Sequence, residues 1–386
     1  METIGIICEY NPLHLGHKKQ LDMIRQALGE DTAIVCLMSG NFVQRGYPAI
    51  FHRSLRANAA ILAGADLVLQ MPVTTSLSSA EGFAAGSVAL LGKFCDKLCF
   101  GAENADTENL MQTAKALLSE EFSIFLRTHL DAGLSFPAAR QKALTDMGCD
   151  SSLLSLPNNI LAVEYCKAIL TQNSSMTPMP IFRGGNYHDT DIDLENPSAT
   201  ALRALIEGNE QWMAFVPQSA HSIFANAPVH TLDAGQRAVL AKLRSMTEEE
   251  FAALPYGSEG LWRKFMHAAR REPTLEAVLE AVKSKRYTRS RLDRMVMCAF
   301  LGISREILEA PAPYARVLAF NDTGRALLSK AKKTALFPNA GEPIDHPYQI
   351  LETRCGALYG LFAEETPEPP DAEQGRRVRY SKSAAF

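Results

Sequence analysis

The chain reads as an α/β protein, a Rossmann-like parallel-sheet domain followed by an α-helical domain. Three observations predict this. Short β-branched or apolar runs alternate with helical patterns through roughly the first two hundred residues, the signature of a parallel sheet covered by helices. Each apolar run ends in a small, polar or Gly-containing loop. From about residue 205 onward the pattern changes to helices alone.

In order, Ile4 to Cys8 is the first strand, and the turn Glu9-Tyr10-Asn11-Pro12 leads into a helix from about His14 to Leu28. A second strand, Thr32 to Met38, ends in Ser39-Gly40-Asn41, and a helix near Arg53 to Ala63 follows. The third strand, Asp66 to Gln70, is stopped by Met71-Pro72. Ser79 to Leu91 reads as a helix whose small residues (Ala80, Gly82, Ala84, Ala85, Gly86) permit close packing on a sheet. Lys97 to Phe100 is a fourth strand that delivers Gly101-Ala102-Glu103-Asn104 to the carboxyl edge. Later helices are expected over Ala238 to Arg244, Thr247 to Ala253, Leu261 to Ala269, Leu275 to Ser284 and Arg289 to Leu301. The expected domains are 1–204, 205–362 and a flexible basic tail, 363–386, led by the Pro- and acid-rich stretch Glu364 to Gln374.

With 386 residues, 47% of them hydrophobic, the chain can bury a sizeable core. Its net charge of −4 rules out a polycation, so any nucleic acid must be held by a local patch. The eight cysteines are scattered, and Cys95 and Cys99 form only a lone C-x-x-x-C, so buried thiols are expected rather than a metal or redox site. The first strand leaves no room for a secretory signal peptide and no apolar run reaches membrane-spanning length, which points to a cytoplasmic protein without a membrane partner.

His14-Leu15-Gly16-His17 is the most informative stretch. In an open α/β sheet, ligands bind beyond the carboxyl ends of the strands, and a helix N-terminus there offers N–H groups and partial positive charge to phosphate. Two imidazoles at that place make an anion site suited to chemistry at the α-phosphate of ATP. Gly16 is expected to keep the backbone open to a nucleotide. Zinc ligation and a pair of structural histidines are the competing readings, but no further ligand pattern accompanies the pair.

Several residues are expected near the same crevice. Arg45, Arg53 and Arg56 lie close to the end of the second strand. Pro157-Asn158-Asn159 opens a helix in which one Asn serves as N-cap and the other is available to a ligand. Arg183 ends a strand before a Gly-rich loop. Ser198, Thr200 and Arg203 form a helix start able to hold a pyrophosphate, with an ordinary N-cap and a surface Arg as the alternative.

The run Gly5 to His17 resembles the opening of the HxGH nucleotidyltransferase superfamily, and its Glu9-Tyr10-Asn11-Pro12 portion resembles one family within it, the tRNA(Met) cytidine acetate ligases. The likeness continues through Ser39 to Gly46, Phe100 to Glu103, Pro157 to Leu161, Tyr187-His188-Asp189, Ser198 to Arg203, Lys285 to Thr288 and Arg316 to Asn321. The family pattern has Gly-Ala before Tyr187, where this chain has Gly185-Asn186. The resemblance implies ATP-dependent acetylation of the wobble cytidine of elongator tRNA(Met), giving N4-acetylcytidine. Acetate is activated as acetyl-AMP with release of pyrophosphate, Mg2+ accompanies the triphosphate, and no obligate protein partner is implied. It implies ATP binding by Ile7, Cys8, Glu9, Tyr10, Asn11, Pro12, Leu13, His14, Leu15, Gly16, His17, Lys18, Lys19 and Gln20, with Gly101, Asn158 or Asn159, and Arg183.

In that chemistry His14 and His17 would stabilise charge on the α-phosphate and the departing pyrophosphate. Lys18, Lys19, Arg183 and Arg203 are candidate phosphate clamps, and Glu9 and Asp189 candidate proton acceptors. The segment Lys283 to Arg294 carries six basic residues against one acid. Lys285, Arg286, Arg289 and Arg291, with Tyr287 among them, are its candidates for gripping an RNA loop by phosphate contacts and stacking; a solvated helix face is the alternative. Lys330, Lys332 and Lys333 and the tail Arg376 to Lys382 would extend the track. From a different class, a mononucleotide adenylyltransferase of cofactor biosynthesis would use the same motif without an RNA track, and a nucleotide sensor would use it without chemistry.

Overall fold

The strands that carry the fold are β1 (Thr3–Cys8), β2 (Ala33–Ser39), β3 (Leu67–Met71), β4 (Lys97–Ala102), β5 (Thr177–Phe182), β6 (Arg316–Phe320) and β7 (Arg379–Tyr380). In this computed structural model the described residues are 1–183, 198–284, 286–331, 337–338, 344–365, 369 and 378–382. The chain divides into two units, one of Met1–Ile7 with Ala80–Thr190, the other of Cys8–Ser79 with Asp191–Phe386. The boundary expected near residue 204 therefore falls inside the second unit.

In the first unit β1, β4 and β5 run parallel, with Gly5 opposite Leu98 and Gly101 opposite Ile181. Pairing with β5 carries β4 on to Ala102, so Gly101 is a strand residue and not, as expected, part of the loop beyond. The helices Ala80–Leu91 and Pro157–Thr171 belong to this unit and pack against each other, so the small residues of the first, read as permitting close packing on a sheet, serve close packing of two helices.

In the second unit β2 and β3 pair in parallel from Val35 opposite Leu67 to Ser39 opposite Met71. All seven residues of β2 are buried, as a strand covered on both faces requires. The Asp66 carboxylate fixes this packing, accepting from Ile34 N–H at 2.8 Å, Arg25 Nη2 at 2.9 Å and Asn321 Nδ2 at 2.8 Å. β6 lies antiparallel to β3, so the region read as helical also supplies a strand. The tail read as flexible supplies β7, parallel to β6, and Tyr380 Oη donates to Asp322 at 2.7 Å.

The helices Leu232–Ser245, Leu261–Arg271, Leu275–Val282, Arg289–Leu301 and Tyr348–Tyr359 share one core that includes Leu243, Phe251, Phe265, Val278, Met295 and Phe362. No helix among the described residues is long and apolar enough to cross a membrane. Against Arg289–Leu301 packs a short hairpin, Phe42–Val43 with Tyr47–Pro48. Its turn residue Gly46 has φ +87°, and a Cβ there would lie 2.4 Å from the Arg294 nitrogen. Gly46→Ala should therefore cost about 2–3 kcal/mol; a urea midpoint equal to that of the parent would contradict this contact.

Candidate active site

The helix Leu15–Leu28 begins at His14, whose extended backbone (φ −140°) makes it the N-cap. Its Nδ1 accepts the Gly16 N–H at 3.1 Å, and His17 Nδ1 accepts the His14 N–H at 3.3 Å. The two histidines thus form a reciprocal capping box, the role that Ser or Thr and Glu usually share. Each bond uses the Nδ1 lone pair, which leaves Nε2 to carry the proton in the neutral ring. The rings stack with centroids 3.6 Å apart, and the Tyr10 ring lies 4.8 Å from that of His17.

Two expectations change here. The first-turn N–H groups of Gly16, His17 and Lys18 are engaged by His14, through its Nδ1 or its carbonyl at 2.9 and 3.1 Å, rather than held open. Gly16 is needed for the cap itself, because a Cβ would stand 3.0 Å from the His14 Cε1 and push the ring away. His14 is buried at 1% exposure, while His17 is half-buried and forms the more accessible part of the pair.

The preceding turn is fixed from several sides. Tyr10 is buried and sits at φ +45°. Asn11 Oδ1 accepts from Ile50 N–H at 2.8 Å and its carbonyl from Arg203 Nη1 at 2.8 Å. Glu9 Oε1 accepts the Gln44 N–H at 2.8 Å. Pro12 and Leu13 are buried. Arg56, fully buried, donates Nε to Phe51 O at 2.9 Å, Nη1 to Glu9 O and Nη2 to Gly40 O. Burial lowers its pKa to about 10, yet it stays charged at neutral pH. Read from sequence as a cation for the crevice, Arg56 is instead consumed by three carbonyls. Burial and the neighbouring Cys36 push the Cys8 thiol well up, which leaves it a neutral wall of the site.

Of the other candidates in this unit, Lys18 pairs with Asp22, and Lys19 is exposed. Ser198 is an ordinary N-cap, its Oγ accepting from Ala201 N–H at 3.0 Å. Thr200 Oγ1 accepts from Arg203 Nη2 at 3.0 Å, and the Arg203 guanidinium lies over the Tyr47 ring at 5.3 Å. Arg203 thus clasps the Asn11 turn, a role the sequence did not suggest.

In the first unit, Gly101 and Arg183 come together: a Cβ on Gly101 would be 3.4 Å from Arg183 Cδ. Neither Asn158 nor Asn159 is the N-cap expected; Leu156 holds that position and Pro157 begins the helix. Both belong to its first turn, which the Glu103 carboxylate caps from β4's end by accepting Asn158 N–H (3.3 Å), Asn158 Nδ2 (2.7 Å) and Asn159 N–H (2.8 Å). Asn159 is buried and its Oδ1 accepts from Asn104 N–H at 2.9 Å; Asn158 is the more accessible of the two.

The basic segment is less positive in space than in sequence. Arg289 meets Glu276 at 2.7 and 2.8 Å and Asp293 at 2.8 Å, and these partners hold it firmly protonated. Arg291 donates to the Tyr256 carbonyl at 2.7 and 3.0 Å and lies over the Tyr287 ring at 5.2 Å. Arg286 pairs with Glu259 at 2.6 Å, with its side chain 68% exposed. Lys285, Lys332, Lys333, Arg376, Arg377 and Asp189 lie outside the described residues.

The model of the HIGH Nucleotidyl Transferase family matches residues 1–367. The chain belongs to that family. Within it, the chain is 36% identical to the tRNA(Met) cytidine acetate ligase of Alkaliphilus metalliredigens, over 88% of this chain and 87% of that one. The ligase of the same name from Clostridium novyi is also 36% identical, over 88% and 89% of the two chains. Two crystal structures of Thermotoga maritima TmcAL, 28% identical, superpose over 99% of this chain and 100% of theirs: an apo form with TM-score 0.89 and a form bound with alpha-thio ATP with TM-score 0.87.

Arg56 and Glu103 are the organising residues whose roles sequence reasoning missed. A lone Arg among Leu55, Ala57, Ala59 and Ala60 was the available signal for the first; nothing local announces that Glu103 caps a helix more than fifty residues away. Arg56→Lys keeps the charge but loses the planar fork, so we expect a loss of about 2–3 kcal/mol in urea unfolding; an unchanged midpoint would show that the three carbonyls do not depend on it.

Proposed function

We propose that the protein activates acetate with ATP and transfers the acetyl group to the wobble cytidine of elongator tRNA(Met), yielding N4-acetylcytidine. What carries this reading is the self-capped His14–His17 pair beyond β1 in a chain akin, along 88% of its length, to ligases of that name. An acetate oxygen attacks the α-phosphorus, pyrophosphate leaves, and acetyl-AMP results. The cytidine N4 amine then attacks the acetyl carbonyl, loses a proton, and expels AMP.

The Nε2–H of His17, the more accessible ring, suits stabilisation of charge on the phosphate oxygens, the buried His14 ring stacks against it, and the fixed tautomers mean little reorganisation when that charge develops. Among the described residues no three His, Cys, Asp or Glu gather as a metal cage, so Mg2+ would be carried by the triphosphate and water. The tRNA-binding role is assigned to the helical region 205–362, with Arg286 as its accessible contact, the half-buried Tyr287 beside it, and Arg289 and Arg291 supporting them. Gly101, Asn158 and Arg183 retain their ATP-binding assignment as part of the proposal. The reaction belongs in the cytoplasm, where its tRNA is found. The names of the relatives favour this reading over a mononucleotide adenylyltransferase.

Incubation of the protein with ATP, acetate and total tRNA should produce acetylated cytidine by mass spectrometry; none, beside a working positive control, would refute the acceptor. His17→Ala should reduce acetate-dependent exchange of pyrophosphate into ATP by about 100-fold or more and leave tRNA affinity intact, whereas Arg286→Ala should weaken tRNA binding without slowing exchange. Loss of both activities in each variant would contradict this division.

A further inference from the structure

The helix Leu261–Arg271, in the second unit, divides its side chains sharply between core and solvent. Leu261, Phe265, Met266, Ala268 and Ala269 are buried in the helical core, and Trp262 packs against it. Every exposed position is basic: Arg263, Lys264, His267, Arg270 and Arg271. We infer that this face binds the sugar-phosphate backbone of RNA, which under the function proposed above is a stem of the tRNA substrate. The inference rests on that reading for the identity of the RNA, and on the face itself for the polyanion.

The first argument is that the charge is unspent. Arg286 and Arg289 meet carboxylates, whereas among the described residues none of these five side chains pairs with Asp or Glu. Lys264 gives one of its three N–H bonds to the Val282 carbonyl at 3.0 Å and keeps two. The Arg263 guanidinium lies over the Trp262 ring, 4.8 Å from its centroid, which steadies the planar fork without using its N–H donors. The second argument is where the cations stand. A helix N-terminus carries partial positive charge and favours acids. The neighbouring helices Leu232–Ser245 and Leu275–Val282 place Asp233 and Glu276 in the first turn. Leu261–Arg271 has no acid there and sets Arg263 and Lys264 at its start. Helix stability does not ask for that arrangement; a polyanionic ligand does.

The third argument is the chemistry of the partner. Arg263, His267 and Arg270 fall at i, i+4 and i+7, flanked by Lys264 and Arg271, so the donors form one ridge roughly 12 Å long on a rigid rod. Such a ridge matches a ladder of phosphates. The apolar side chains of the helix are committed to the core, so the face has neither the apolar stripe with which a helix enters a bilayer nor the desolvated anchor at the centre of a protein interface. The major groove of A-form RNA is too narrow for side chains to read, so these cations meet backbone, without preference for sequence. Position is the fourth argument. Glu259, the partner of Arg286, directly precedes Gly260, the N-cap of this helix. The ridge therefore begins beside the exposed cation assigned to the tRNA above.

Binding of the full-length protein to elongator tRNA(Met) transcript, followed by fluorescence anisotropy across a series of salt concentrations, is the test. The triple variant Arg263→Gln, Arg270→Gln, Arg271→Gln removes three cations and keeps good helix formers in their place. Its Kd should rise about 10- to 100-fold and its slope of log affinity against log salt should fall by about two to three, equally for a tRNA of another identity. Acetate-dependent exchange of pyrophosphate into ATP should keep its parent rate. Parent affinity and slope in the triple variant, with the melting temperature intact, would overturn the inference. So would a loss confined to one tRNA sequence, or a loss of binding to phosphatidylserine vesicles with none to tRNA. Should the triple variant fail to fold, Arg270→Gln decides alone: a slope lower by about one supports the inference, and an unchanged slope overturns it. If the parent binds tRNA through this face yet forms no acetylcytidine, the proposed function has failed and the inference stands; a parent that binds no RNA defeats the inference.

Discussion

A single buried guanidinium organises the turn that leads to the histidine pair. Arg56 stands fully buried and gives its hydrogen bonds to the carbonyls of Glu9, Gly40 and Phe51. Glu9 follows β1, Gly40 follows β2, and Phe51 precedes the helix Arg53–Leu62 on which Arg56 itself sits. Strand ends in an open sheet are otherwise free to spread, since the ladder bonds stop there. One planar cation with five donors can tie three chain segments where a neutral side chain has too few N–H groups. Desolvating it is costly, and that cost is offset because each of its three nitrogens meets a carbonyl in a region of low dielectric.

On this frame the histidine motif acquires its properties from hydrogen bonding within itself. Because His14 and His17 cap each other, their rotamers and tautomers are set before any ligand arrives. The preceding turn is equally committed: Asn11 is held by Ile50 and Arg203, and Glu9 by Gln44. Gln44 also receives Arg294 Nη1 at its carbonyl, 3.5 Å away, from the helix Arg289–Leu301. A continuous set of contacts therefore runs from the helical core to the motif, and a fixed electrostatic environment of this kind is what transition-state stabilisation requires.

The first strands and the helices between them were legible in the sequence because they rest on local patterns, continuous apolar runs for buried parallel strands with helical periodicity between; the helices Thr107–Leu117, Glu120–Asp131 and Phe136–Asp146 were not read. The motif was legible because it too is local. What else escaped is tertiary. β6 and β7 are short and far from their partners, so neither the five residues Arg316–Phe320 nor the pair Arg379–Tyr380 announces a strand. The use of Arg56 as a clasp, the capping of Asn158 and Asn159 by Glu103, and the clasp of Arg203 on Asn11 all join residues distant in sequence. A side chain's chemistry shows what it can bind, but its partner depends on the fold.

The basic segment shows the same limit for charge. Counted along the chain it is strongly cationic, yet Glu276, Glu280 and Asp293 surround Arg289 in space, and the Tyr256 carbonyl takes Arg291. An anionic ligand would have to compete with three carboxylates for Arg289, but with only one for Arg286, whose pair with Glu259 is exposed on both sides. Exposed ion pairs are worth about 0–1 kcal/mol, so a phosphate can displace Glu259 at small cost. Tyr287 follows directly, half-buried against the helical core with the Arg291 guanidinium over its ring. Under the proposed function, Arg286 at the start of the segment is the cation an RNA phosphate would take over most readily, whereas Arg289 and Arg291 are held by partners within the chain.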